Sequence, residues 1–121
     1  MTLPNDSSDE SVIAVEPQDD ICVVRFLVTE LRDRPLMEQL QDELRVLAKN
    51  FSKFVINFSG VVYLSSQAIG NLIKLRRSIL EAGGSIRCCD LEPQIAEVFD
   101  VAQLNELFDV FDTKESALAG F

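Results

Sequence analysis

The chain has no histidine, no tryptophan, one tyrosine and three cysteines, and its 11 Lys plus Arg face 20 Asp plus Glu. The absence of histidine removes the usual imidazole general base and a principal metal ligand. The shortage of basic residues gives a net charge of -9. That balance disfavours nucleic acid and anionic membrane as partners, because neutralising phosphate takes clustered Lys and Arg. A basic protein surface is the natural complement, although solubility alone also accounts for an acidic balance. No apolar run approaches the roughly 20 residues that a spanning helix needs. Met1 to Glu10 is polar and acidic, without the basic and apolar regions of a signal peptide, so a cytoplasmic location without membrane insertion is expected.

Catalytic patterns are missing too. The sequence has no Gly-rich phosphate loop, no metal-ligand spacing and no serine with an evident general base. No catalytic, metal-binding or cofactor-binding residue is assigned, and the chain reads as a non-enzyme. Cys22, Cys88 and Cys89 lie in apolar, strand-like runs, odd in number and without zinc or redox spacing. They read as buried structural thiols, with Cys88 and Cys89 on opposite faces of one strand.

With 121 residues, 47% of them hydrophobic, the chain suits one domain with a single core. Residues 1–11 read as a disordered or frayed lead-in and residues 12–121 as the domain. Val12 to Glu16 and Ile21 to Val28 are β-branched segments flanking Pro17-Gln18-Asp19-Asp20, which predicts a hairpin. Leu36, Met37, Leu40, Leu44 and Leu47 recur at helical spacing behind Pro35, with Asp33 or Arg34 at the cap. Glu38, Gln41, Asp42, Arg45 and Lys49 form the expected solvated face. Phe54 to Phe58 reads as a central strand, covered on both sides or flanked by neighbours in a sheet. Ile69 to about Ala82 reads as a helix closed by Gly83-Gly84, and Ser85 to Asp90 as a further strand, which a parallel crossover would place in the same sheet. Pro93 opens a third helix with Ile95, Val98 and Phe99 inward. Leu104 to Phe108 is one more turn, Val110-Phe111 a short edge strand, and Asp112 or Thr113 the cap of a final helix. The fold class is α/β, with a mixed four- to five-stranded sheet and about four helices.

The stretch that organises the rest runs from Phe54 to Leu72. A buried strand and a turn deliver Ser65 and Ser66 to the start of a helix, where free N–H groups and the macrodipole favour negative charge. Ser65 is a good N-cap. A plain Ser-Ser helix cap is the alternative to any regulatory role.

These residues carry a resemblance. Phe54-Val55-Ile56-Asn57-Phe58-Ser59, Val62 to Gly70, Ala82-Gly83-Gly84 and Leu107 to Thr113, in that order and spacing, resemble a STAS domain of the bacterial anti-sigma factor antagonist family. The family signature is an aromatic and an aliphatic residue followed by Asp-Ser-Ser/Thr-Gly-Leu-Gly, the first Ser being phosphorylated by a partner kinase. Tyr63-Leu64 matches its start, Ser66 the phosphorylated serine and Ile69-Gly70 its end, while Ser65, Gln67 and Ala68 replace Asp, the second hydroxyl residue and Gly.

The resemblance implies a regulatory protein that binds an anti-sigma factor, typically an ATP-binding serine kinase, and is switched by phosphorylation at Ser66, with Ser65 as the alternative site. The three departures favour a second possibility, a non-switching scaffold or ligand-binding module of a sensory or transport system. Around the serines, Gly60, Val61, Gln67, Asn71 and Lys74 are expected to be exposed and, with Ser65 and Ser66, to contact the partner. Ile69, Leu72 and Ile73 are expected to face the sheet. Lys74, Arg76 and Arg77 are the local basic cluster, with Arg77 and Glu81 at the spacing of an ordinary helix pair. A monomer or weak dimer is expected for the free protein.

Overall fold

The computed structural model describes residues 12–32 and 34–121. The expected lead-in and the possible cap Asp33 therefore lie outside the described residues. Strands β1 (Ile13–Gln18) and β2 (Ile21–Phe26) pair antiparallel. The connecting turn is tighter than expected, because β1 runs on through Pro17 and Gln18 and leaves only Asp19 and Asp20 outside the strands. Asp19 takes the left-handed conformation with φ 56°, which a short, locally hydrogen-bonding side chain tolerates. Pro17 is admitted because β1 is an edge strand.

The chain continues through β3 (Glu30–Leu31), α1 (Arg34–Leu47), β4 (Lys53–Asn57), β5 (Tyr63–Leu64) and α2 (Ser66–Glu81). It ends with β6 (Ser85–Cys89), α3 (Pro93–Val101), a 3₁₀ turn at Leu104–Glu106, β7 (Asp109–Phe111) and α4 (Lys114–Leu118). The main sheet is mixed and five-stranded, in the order β1-β2-β4-β6-β7, with every pair after the hairpin parallel. The final helix is capped by Thr113, whose hydroxyl accepts the Ser116 N–H at 3.1 Å.

Strand alternation sorts the apolar side chains onto two faces. Cys22, Val24 and Phe26 of β2, Phe54 and Ile56 of β4, and Ile86 and Cys88 of β6 form one core with the inner stripes of α1, α2 and α3. Ile21, Val23, Val55 and Cys89 point the other way, beneath Ala117 of α4 and Phe111, Leu118 and Phe121. This two-sided cover is why β4 carries an unbroken apolar run. All three thiols are buried and free. Burial pushes Cys22 up to about 11 and Cys89 up to about 12, and raises Cys88 as well, so none is a ready thiolate at neutral pH.

Helix α2 ends where Gly83 turns left-handed at φ 86°. A Cβ on the following Gly84 would collide with the Ser52 carbonyl oxygen, and this close approach delivers the chain to β6.

The second face is closed by one side chain. Arg87 donates from Nη1 to the carbonyls of Ala117 and Ala119, each at 2.9 Å, and from Nη2 to that of Gly120 at 3.3 Å. Its guanidinium also lies over the rings of Phe111 and Phe121, at 5.1 and 4.2 Å. The fork ties β6 to the C-terminus through charge-assisted hydrogen bonds and cation–π contact. Arg87→Ala is expected to lower unfolding stability by about 2 kcal/mol, the scale of hydrogen bonds to a charged group. Urea denaturation measures this, and Arg87→Lys should recover only part of the loss because it lacks the planar fork.

Candidate functional site

The site is built from the end of β4 outward. Asn57, the buried polar residue of the core, accepts the Ser59 N–H on its side-chain oxygen at 2.8 Å. Its backbone neighbour Phe58 donates to the Cys89 carbonyl at 3.0 Å, and Val61 N–H closes back on the Phe58 carbonyl at 2.9 Å. At the tip, Gly60 N–H donates to the Glu92 carboxylate at 2.8 Å. The turn is thus fixed from both sheet and α3.

Beyond the turn the chain forms a small parallel ribbon that periodicity could not reveal. β3 and β5 pair Glu30 with Tyr63 and Leu31 with Leu64. Val62 N–H donates to the Thr29 carbonyl at 2.8 Å and Ser65 N–H to the Leu31 carbonyl at 2.9 Å, flanking the ribbon on both sides. Two residues per strand are too few to leave an alternation in sequence. Leu31 and Leu64 are buried, while Glu30 and Tyr63 face out.

Ser65 is the N-cap of α2. Its backbone is extended (φ -76°, ψ 166°) and its hydroxyl accepts the Ala68 N–H at 3.1 Å. Ser66 is the first helical residue and exposed. The small side chain of Ala68 is fully buried beneath the first turn, so the helix seats closely on the core and presents Ser66 outward. Ser65→Ala is expected to cost about 1 kcal/mol of stability through the lost cap, read by thermal or urea unfolding. Ser65→Asp should match or exceed the unsubstituted protein, because a carboxylate also caps and favours the dipole.

The expected contact residues reach the surface with one exception. Gly60, Ser66, Gln67 and Lys74 are exposed, and Ser65 and Asn71 half-buried. Val61 is the correction, with no exposed surface and a place in the main core. Its side chain anchors the turn from inside, since the Asn57 and Phe58 hydrogen bonds direct it inward, and it cannot meet a partner while the fold is intact. Leu72 is buried, with Ile69 and Ile73 packed partly against the core.

Gln67, Gly70, Asn71 and Lys74 border an open polar groove of about 470 Å³, whose other wall is Arg34, Glu38, Gln41, Asp42 and Arg45 of α1. Gln41 is not a solvated bystander. Its Nε2 donates to the Asn71 carbonyl at 3.1 Å and to Asn71 Oδ1 at 3.3 Å, linking the two helices across the groove floor. Of the basic cluster, Arg76 donates to the Leu107 carbonyl, Lys74 lines the groove, and no ion pair joins Arg77 to Glu81.

Sequence reasoning missed the apolar surface beside the serines. Val62 and Tyr63 are each 41% exposed, and Val101 is 78% exposed. Val101 borders a shallow apolar depression with Ile69, Val98 and Ala102, between α2 and α3. The signal was present for Val101, which falls off the stripe of Ile95 and Phe99. Among the described residues, no group of three or more His, Cys, Asp or Glu side chains is arranged to hold a metal. No helix among them is long and apolar enough to cross a membrane.

The comparisons with known proteins agree with this five-stranded mixed sheet and helix order. The STAS domain model matches residues 12–117. The chain belongs to the STAS domain family. Among similar proteins, BtrV of Bordetella bronchiseptica, provisionally named an anti-sigma factor antagonist, is 27% identical over 85 residues, covering 69% of this chain and 73% of BtrV. An anti-sigma-factor antagonist STAS domain protein from Planctomyces limnophilus superimposes with a TM-score of 0.76 at 24% identity, over 88% of this chain and 93% of that one. The Bacillus cell fate determinant SpoIIAA, solved in a phosphorylated form, superimposes with a TM-score of 0.67 at 19% identity, over 88% and 96% of the two chains. The STAS domain described here therefore resembles anti-sigma factor antagonists in sequence and shares their fold.

Proposed function

We propose that this STAS domain, residues 12–121, is an anti-sigma factor antagonist that binds an ATP-binding serine kinase of the anti-sigma class and releases it when Ser66 is phosphorylated. The observation that carries the reading is the position of Ser66, exposed at the first turn of α2 immediately after the capping Ser65. Phosphate there adds about -1.5 to -2 charge. The domain bears it because the amides of Ser66 and Gln67 have no backbone acceptor among the described residues and the dipole of α2 is positive at this end. A partner packed over Val62, Tyr63 and the outer face of α2 does not bear it, since the contact would have to desolvate a bulky dianion and make room for it. The existence of a phosphorylated SpoIIAA supports the same chemistry in a protein of this fold.

The domain does no catalysis of its own and needs no cofactor in this reading. Its partner would free a sigma factor when captured, and the setting would be the bacterial cytoplasm. The contact set is Gly60, Ser65, Ser66, Gln67, Asn71 and Lys74, joined by exposed Val62 and Tyr63. The second reading, a scaffold or ligand-binding module without a phosphorylation switch, is favoured by one observation: Ser65, Gln67 and Ala68 differ from the signature that the family kinase reads. Capture from lysate of the source cells separates the two. The unphosphorylated domain should retain an ATP-binding kinase that, given ATP, modifies Ser66 and dissociates; a retained partner with no ATP site, or a complex that ATP leaves intact, overturns the switch.

A further inference from the structure

Arg32 occupies an unusual position beside the serines. It follows Leu31, whose carbonyl accepts the Ser65 N–H, so the β3–β5 register carries Arg32 alongside Ser65, the residue before Ser66. Its guanidinium is already engaged, by Glu30 and by an aromatic ring. Nη2 and Nε reach Glu30 Oε1 at 2.9 and 3.0 Å, and Cζ lies 4.4 Å from the centroid of the Tyr63 ring. Both partners are held on the outer face of the ribbon. Arg34, two residues on at the start of α1, lines the polar groove together with Gln67, the residue after Ser66. Each arginine is thus tied to a chain neighbour of Ser66, Arg32 to Ser65 by strand register and Arg34 to Gln67 by the shared groove.

We infer that Arg32 and Arg34 are the intramolecular receptor of a phosphate on Ser66, Arg32 leaving Glu30 and the Tyr63 ring to bind it. This rests on the phosphorylation reading above and adds how the modified state is held. The present Arg32 pairing is easily exchanged: its side chain is 55% and that of Glu30 48% exposed, and exposed ion pairs of this kind are weak and screened by salt. A phosphoserine offers more charge and three acceptor oxygens, to which arginine binds bidentately. The exchange changes the surface that a partner meets. Tyr63 loses its cationic cover, Glu30 is left as an uncompensated carboxylate beside it, and the phosphate gains a counter-charge from the domain itself. The phosphorylated domain would then be a differently charged face and not only the same face with phosphate added.

The molecule carries its own reporter, because Tyr63 is the one tyrosine and there is no tryptophan. The test installs phosphoserine at position 66 of the full chain by codon suppression, independently of any kinase. The phosphate is followed by ³¹P NMR titration, with circular dichroism as the folding control. A nearby cation favours the dianion, so the phosphate midpoint should fall below the value of about 6 for an unperturbed phosphoserine. It should return towards about 6 in Arg32→Gln, and return fully in Arg32→Gln with Arg34→Gln. Among the described residues, the titrating and charged groups on the elements around Ser66 are Glu30 and Arg32 of the ribbon and Arg34, Glu38, Asp42, Arg45 and Lys74 of the groove. Glu30→Gln, which frees Arg32, should lower the midpoint further. Tyrosine emission should change on phosphorylation in the unsubstituted protein and not in Arg32→Gln. A midpoint at about 6, or one indifferent to both arginines, overturns the receptor; so does an emission change of equal size in Arg32→Gln. Because the phosphate is installed, these outcomes are independent of whether cells phosphorylate Ser66 or whether a partner is released.

Discussion

Ser66→Asp is expected to weaken binding of the proposed kinase partner at least 30-fold, while Ser66→Ala binds like the unsubstituted domain. The asymmetry follows from placement. Alanine at the first helical position removes an exposed hydroxyl that makes no hydrogen bond among the described residues and favours the helix slightly. Aspartate puts a charge where the proposed partner would cover the turn, and an unmatched charge at an interface costs about 2 to 5 kcal/mol, equivalent to a factor of 30 or more. Neither substitution should unfold the domain, since Ser66 is exposed and acidic residues are welcome in the first turn. Titration calorimetry with the purified partner measures the ratio. Equal affinities for the alanine and aspartate variants are incompatible with the switch and favour the scaffold reading.

The largest stability effect is expected beneath the site, at Phe58. This ring is fully buried and joins a run of aromatic contacts, 5.3 Å from Phe26 and 5.6 Å from Phe99, which itself lies 6.1 Å from Phe108. The run couples the β-hairpin, the turn before the serines, α3 and the segment leading to β7. Phe58→Ala opens a cavity that rings anchored on separate elements cannot all close, and is expected to cost about 3 to 5 kcal/mol. Set against a typical stability of about 5 to 15 kcal/mol, that is a large fraction. Urea denaturation should show a lower midpoint with the slope retained. Phe58→Leu, which keeps most of the volume, should lose clearly less. A loss under 1 kcal/mol for the alanine variant would show that this ring does not organise the turn.

The fold was legible where periodicity and punctuation agree. The apolar run from Phe54 to Phe58 indicated a central strand, and the observed β4 is enclosed by cores on both faces. Proline at the starts of α1 and α3 and the Gly pair after α2 marked boundaries within one or two residues. The β3–β5 ribbon was illegible because two-residue strands owe their pairing to backbone geometry and not to side-chain pattern. Within the site, spacing located Ser65 and Ser66 but could not tell inward from outward across an irregular turn. Val61 was therefore expected at the surface, and the structure buries it. Gln41 shows the same limit on a regular helix: its place on the outer stripe is right, but a neighbouring helix meets it there. The cover of Tyr63 by Arg32, 31 residues earlier in the chain, depends on two distant segments coming into register, which no local pattern encodes.

The account turns on whether Ser66 carries phosphate. The decisive measurement is phosphopeptide mass spectrometry on the protein purified from its source cells across growth and stress conditions. Trypsin cleavage after Lys53 and Lys74 yields residues 54–74, which contain Ser59, Ser65 and Ser66, so fragmentation must resolve the three serines. A substantial fraction modified at Ser66, rising and falling with conditions, is the predicted result. A peptide recovered in quantity and unmodified at Ser66 under every condition would contradict the switch and leave a STAS domain that binds without being turned off.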